Sequence, residues 1–227
     1  MTPISHLLLA STIFLVTHFV SSMPLRARLV RKLGNAYLGF YSLVAIATLG
    51  WMIWAYQRAP FFNLWYSVEL RWVPVIVMPI AFILFVSGLA ARNPTMVGRE
   101  RLLRASEPAH GVLRVTRHPL MWSFALWAAS HVVARGDWAS IIFFGTFFLL
   151  ALAGPWLIDR RKSAELGTDW RHFAAVTSNL PFAAIAAGRN RFRPREFAAW
   201  QLAAALALYV AFLTLHQALF GAHALYG

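Results

Sequence analysis

The chain has 227 residues, 59% of them hydrophobic and only 13% charged, with no cysteine and a formal charge of +13. A soluble domain carries about 45–50% apolar and about 25% charged residues, so this balance excludes an ordinary water-soluble enzyme and a disordered tail. Without cysteine there is no disulfide framework and no thiolate-held metal centre. The basic residues fall in short clusters between long apolar runs, which is how the loops of a membrane protein read, and that sets aside a nucleic-acid partner.

Crossing about 30 Å of hydrocarbon takes roughly 20 apolar residues. Six stretches meet that need, at residues 4–22, 37–56, 73–91, 118–134, 138–157 and 198–219. They predict an all-α polytopic transmembrane helix bundle with the lipid bilayer as its partner. The first stretch lacks a basic leader and is followed by basic residues, so it reads as a retained span, not a cleaved signal. The fourth is short, but Arg135-Gly136-Asp137 is a tight polar turn feeding the fifth, which predicts an antiparallel hairpin. No acid, lysine or arginine lies inside any span.

Orientation follows from the loops. The first holds Arg26, Arg28, Arg31 and Lys32, the third six arginines from Arg92 to Arg117, and the fifth eight cations from Arg160 to Arg195. Together these make 18 of the 21 Lys and Arg, and the positive-inside rule places the three loops in the cytoplasm and both termini outside it, in a bacterial inner membrane. Within residues 93–117, Asn93-Pro94-Thr95 reads as a helix start and Glu107-Pro108 as a break. Residues 159–181 read as a basic amphipathic segment with Leu166, Trp170, Phe173 and Val176 on one face, expected along the inner headgroup layer. The organisation is a five-span domain over residues 1–185, then a basic linker and sixth span over 186–227.

Ionisable groups inside spans are costly and point to function. Here they are histidines: His18 in the first span, with His118 and His131 on the fourth. Neutral imidazole ligates metals and haem iron. The plainer reading is that a membrane histidine hydrogen-bonds a neighbouring helix, and His18 has Thr17, Ser21 and Ser22 beside it. The strongest local signal runs from Gly111 to Trp122 through Arg114, Thr116-Arg117-His118-Pro119. Proline at the first helical turn costs no hydrogen bond and pins His118 at the mouth of its span. Arg114 and Arg117 below it would meet a carboxylate or phosphate, or merely anchor the span at anionic lipid.

Thr116-Arg117-His118-Pro119 is followed by Trp127, His131, Gly136-Asp137, Asp159-Arg160-Arg161, Leu166-Gly167, Trp170, Phe173 and Thr177-Ser178-Asn179-Leu180-Pro181-Phe182. Upstream stand His18, Ser21, Ser22, Arg26 and Gly39-Phe40-Tyr41-Ser42. In that order these residues resemble the NnrU family of bacterial membrane proteins, over most of the chain up to about Ile185. The resemblance implies an association with nitrite and nitric-oxide reduction. It also implies kinship with the plant 15-cis-zeta-carotene isomerase, a haem b membrane enzyme, in which the important histidines match His18 and His131.

Geometry leaves the ligand pair open. His118 and His131 are thirteen residues apart, a rise of about 20 Å and a turn of about 220° on a straight helix, so both cannot address one small site. Depth counting pairs His18 with His118, whereas the resemblance pairs it with His131. The leading reading is a haem b protein with axial histidines, an apolar pocket lined by Phe14, Phe124 and Trp127, and Arg114 or Arg117 on the propionates. Its substrate would be lipid-soluble, or its partners respiratory or denitrification membrane proteins. An alternative is an S-adenosylmethionine-dependent membrane methyltransferase, whose Arg-His-Pro mouth this sequence is similar to. Against it, Asp159-Arg160-Arg161 replaces the expected pair of glutamates, and the aromatic is displaced to Trp122. A non-catalytic accessory protein is a third. Hydrolase, zincin and nucleotide-binding fingerprints are absent.

Overall fold

The computed structural model describes residues 1–20, 25–105 and 107–224. Their elements are α1 (Pro3–Val20), α2 (Leu25–Leu33), α3 (Ala36–Arg58), α4 (Trp72–Ala90), α5 (Val112–Val115), α6 (Pro119–Arg135), α7 (Trp138–Val176), α8 (Ala183–Ala186), α9 (Ala199–Thr214) and α10 (His216–Phe220). Short 3-10 turns at Val68–Arg71, Glu100–Arg104 and Pro194–Glu196 complete the order. Among the described residues the extended backbone forms no strand, only an isolated bridge between Asn63 and Asp137. The all-α bundle expected from hydropathy is what the chain forms.

Four helical stretches are long and apolar enough to cross a membrane: Pro3–Val20, Ala36–Arg58, Val68–Ala90 and Trp138–Val176. The fourth expected span is as short as its sequence indicates, and the sixth comes out shorter than expected. Proline opens α6 and Gly136 closes it after 17 residues, and α9 has 16; at 1.5 Å per residue these rise about 24–26 Å. Both nonetheless pack within the bundle, α6 between α4 and α7 and α9 against α4.

Ring contacts fix the directions. His6, near the start of α1, lies against Trp51 and Trp54 late in α3, while His18 near the end of α1 meets Tyr41 early in α3. α1 and α3 are therefore antiparallel. Tyr56 at the end of α3 stacks on Phe143 at the start of α7, and Tyr209 late in α9 donates its hydroxyl to the Val75 carbonyl early in α4 at 3.0 Å. The alternation gathers residues 91–118 and 159–198, with α2, at one end, which carries most of the basic residues. The apolar core lies between α1, α3, α6 and α7, where Leu7, Ala10, Phe14, Met52, Ala55, Ala128, Phe143 and Phe144 are buried. Side chains such as Ile46, Ile76, Leu149 and Leu206 stand exposed on the helix exteriors, as expected of surfaces that face acyl chains.

The α6–α7 hairpin closes as its sequence predicts. Gly136 adopts the left-handed region (φ 63°), and Asp137 caps α7 by accepting from the Ser140 N–H at 2.9 Å. The carbonyl of Gly136 accepts from Leu64 and Trp65, so the loop before α4 is stitched to this turn. A Cβ at Gly136 would collide with the Trp65 carbonyl. At the other end Gly88 lets α4 approach the start of α6; a Cβ there would lie 3.0 Å from Pro119 Cγ.

Two expectations are corrected. Asn93-Pro94-Thr95 forms a turn, not a helix start, because the Asn93 side chain accepts from the Thr95 N–H at 2.9 Å and donates to the Arg117 carbonyl at 3.1 Å. The fifth span also does not end at residue 157. α7 takes Pro155 into its interior and runs on through Asp159-Arg160-Arg161, and its helical geometry breaks only at Gly167 (φ 52°). Beyond that break the amphipathic face turns onto the protein: Trp170 and Phe173 bury against Leu103. Ser21 and Ser22 lie outside the described residues.

Gly136→Ala should cost at least about 1–2 kcal/mol for the left-handed backbone alone, and Asp137→Ala about 1 kcal/mol for the lost cap. Thermal unfolding in detergent measures both, and Gly136→Ala should melt lower.

Candidate functional site

The sequence-selected histidines separate into an aromatic layer inside the bundle and an ionic cap at its basic end. On α1, His18 packs against Phe14 with ring centroids 4.0 Å apart. Phe14 meets Phe147 of α7 at 5.4 Å, Phe147 meets Trp127 of α6 at 5.1 Å, and Trp127 meets His131 at 5.8 Å. His131 also stacks on Phe144 at 5.1 Å. One continuous run of rings thus joins His18 to His131 across three helices. Phe124, expected in this lining, touches Trp127 edge-on but is 42% exposed.

Both imidazoles are held in the same way. His18 Nδ1 lies 2.7 Å from the Phe14 carbonyl and His131 Nδ1 lies 2.7 Å from the Trp127 carbonyl, each four residues back on its own helix. A carbonyl only accepts, so both Nδ1 atoms carry the proton. That fixes the tautomer in which Nε2 holds the lone pair. A backbone carbonyl on the distal ring nitrogen is the usual support of a metal-ligating histidine.

His118 is elsewhere. It precedes α6, is 3% exposed, and its Nε2 lies 2.6 Å from Asp159 Oδ1 on α7. Asp159 Oδ2 is in turn 3.1 Å from Arg117 Nε, an ion pair by distance whose angle falls short of a hydrogen bond. Around this pair the motif is pinned on both sides. Thr116 Oγ1 donates to the Asn179 carbonyl at 2.6 Å, the Arg117 N–H donates to the Ser178 carbonyl at 2.9 Å, and Trp122 Nε1 donates to the Asn179 carbonyl at 2.8 Å. Nearby on α7, Lys162 is 1% exposed and donates to Glu100 at 2.8 Å. The motif residues Thr177 to Pro181 therefore serve as the cradle of Arg117-His118-Pro119.

Arg114 is 4% exposed, and four of its donors are used. Its Nε and one NH2 bond hold Glu196 at 2.7 and 2.9 Å, with Glu107 at 2.6 Å and Asn190 Oδ1 at 2.7 Å. Desolvation pushes the Glu196 carboxyl up, but the Arg114 bonds, the Gly111 N–H and the Arg114 and His110 charges outweigh it and hold it at about 2. Glu196 raises the Arg114 pKa in return. The arginine that the sequence offered to an external anion is thus paired internally.

Among the described residues no three His, Asp or Glu side chains cluster as a metal site, so His18, His118 and His131 are not one ligand trio. Sequence reasoning missed Asp159, Glu196 and Lys162. Asp159 was visible as the acid closest to a span end, at a helical position after the fifth span; Glu196 carried no local signal.

Because Glu196 is depressed, its stabilisation is complete above its ordinary 4.5 and is lost as pH falls toward about 2. Melting curves of the wild type and Glu196→Gln from pH 6 to 2 should show a steeper loss in the wild type, since Glu100 and Glu107, also held low by their ion pairs, contribute in both. Glu196→Ala, which removes two of the four bonds on buried Arg114 and leaves those to Glu107 and Asn190, should cost about 1.5–3 kcal/mol at neutral pH.

A family model described as NnrU protein matches residues 6–224, which includes α9 and the clamp on Arg114. Over 82 residues, 35% of this chain and 22% of the relative, the sequence is 35% identical to the chloroplastic 15-cis-zeta-carotene isomerase of Arabidopsis thaliana. Over 87 residues, 38% of this chain and 24% of the relative, it is 31% identical to the chloroplastic 15-cis-zeta-carotene isomerase of Zea mays. The matched stretches span about a quarter or less of those relatives. No solved structure matches.

Proposed function

Because the chain belongs to the NnrU family, we propose that it is an integral membrane protein that binds haem b through His18 and His131 and acts on a lipid-soluble polyene or in nitrite and nitric-oxide metabolism. The observation that carries this reading is the matched support of the two imidazoles. Each Nδ1–H is spent on the carbonyl four residues back, the kind of support that a metal-ligating histidine receives on its other ring nitrogen. Imidazole is a ligand type that haem iron takes; Phe14, Phe147 and Trp127 lie between the two histidines, so a haem held by both would take the place of part of this ring packing. When bound, the iron would supply one-electron or ligand-exchange chemistry.

The protein's own part is to hold and exclude. The two carbonyl bonds orient both imidazoles and set one tautomer. The aromatic layer keeps water from the site and offers a lipid-soluble substrate an apolar surface. The ionic cap of His118, Asp159 and Arg117 closes the basic end, where it fixes α6 against α7. Positive charge at that end favours the cytoplasmic side of a bacterial inner membrane, with both termini opposite. Arg117, whose charge already faces Asp159, is the cap residue positioned by sequence next to His118; Arg114 is committed to Glu196 and Glu107.

Protein purified in mild detergent from haem-replete cells should carry about one haem per chain and show a Soret band. His18→Ala and His131→Ala should each lose most of the bound haem. His118→Ala should retain it and melt lower. A colourless wild-type protein that binds S-adenosylmethionine saturably would overturn the proposal.

A further inference from the structure

The first basic loop is a helix that the rest of the protein covers only in part, with Arg26, Leu29 and Val30 half-buried. α2 has no buried residue. It lies between Val20, the end of α1, and Ala36, the start of α3, both of which are long enough to cross a membrane, so it sits where those helices emerge. Its nine residues rise only about 13 Å, too little to cross. At about 100° per residue, Leu25, Leu29 and Leu33 share one arc of about 80°, and Arg28, Arg31 and Lys32 share another of about 100°. Leu25 is 45% and Leu33 37% exposed, and the three cations of the second arc are exposed as well. Arg26, which borders the leucine arc, turns instead to the protein, with Glu165 at 3.6 Å and the Tyr37 ring at 5.7 Å. That contact orients the helix about its axis.

We propose that α2 is a docking surface for anionic lipid headgroups: its leucine arc enters the boundary between headgroups and acyl chains, while Arg28, Arg31 and Lys32 contact phosphate oxygens. Charge complementarity selects this occupant. An apolar arc of three leucines is too narrow for a stable protein interface, whereas a short amphipathic helix with clustered cations partitions to an anionic surface, each cation contributing about fivefold. α2 thereby takes the interfacial role expected of residues 159–181, whose own apolar face is covered by Leu103.

The absence of cysteine in the whole chain makes the test direct. A polarity-sensitive fluorophore is attached to Leu33→Cys, and the protein is placed in nanodiscs of phosphatidylcholine alone or with phosphatidylglycerol. With phosphatidylglycerol the probe should shift to the blue, be quenched by brominated lipid tails and lose at least fivefold of its accessibility to aqueous iodide. High salt should reverse this, and adding Arg28→Gln, Arg31→Gln and Lys32→Gln should abolish it while melting temperature stays unchanged. A probe equally exposed to iodide in both discs would overturn the proposal. So would a probe shielded in both regardless of salt, which would mean contact with protein.

Discussion

The bond between His118 and Asp159 joins the point where α6 begins to the point where α7 leaves the apolar region. An imidazole this deeply buried must find its partner inside the protein, and the carboxylate that answers it also faces Arg117. Because α6 and α7 are antiparallel, one contact at this end and the two-residue turn Gly136-Asp137 at the other fix their relative register. That register brings Trp127 and His131 opposite Phe147 and Phe144. Gly88 and Pro119 bring α4 close at the same level. The aromatic layer is therefore a consequence of how the ends of the hairpin are tied.

Where the chain's polar groups go explains the division of labour among its histidines. His118 is committed to a carboxylate and belongs to the scaffold. His18 and His131 donate from Nδ1 to carbonyls of their own helices, so each ring is oriented by the helix that carries it. Arg114 follows the scaffold pattern, tying α5 to Glu107, Asn190 and Glu196 from three later or earlier segments. The basic end is accordingly held by ion pairs and the interior by ring packing.

Much of this was readable in the residues. Apolar runs located the main helices, Arg135-Gly136-Asp137 announced the hairpin, and Pro119 marked the start of α6, because each depends on local chemistry. The contacts that set the cap were not readable, since His118 and Asp159 are 41 residues apart and Arg114 and Glu196 are 82 apart. Nothing local marks such a pair. α2 was hidden for a different reason: nine residues with four cations look like a loop until the arcs are drawn. The short length of α9 escaped hydropathy because apolar residues such as Leu215, Ala218 and Leu219 continue beyond its end. Depth counting also favoured His118 for His18, since it measured distance along the helices and could not see which side chain Asp159 would take.

The account turns on His18 and His131 acting as a pair on one iron. Electron paramagnetic resonance of the oxidised, haem-loaded protein measures that most directly. The low-spin signature of two histidine ligands should appear in the wild type and persist in His118→Ala, and should give way to a high-spin signal in the haem that His18→Ala and His131→Ala take up when it is resupplied, since alanine offers no ligand. A signal unchanged in both alanine variants, or one lost only in His118→Ala, would contradict it.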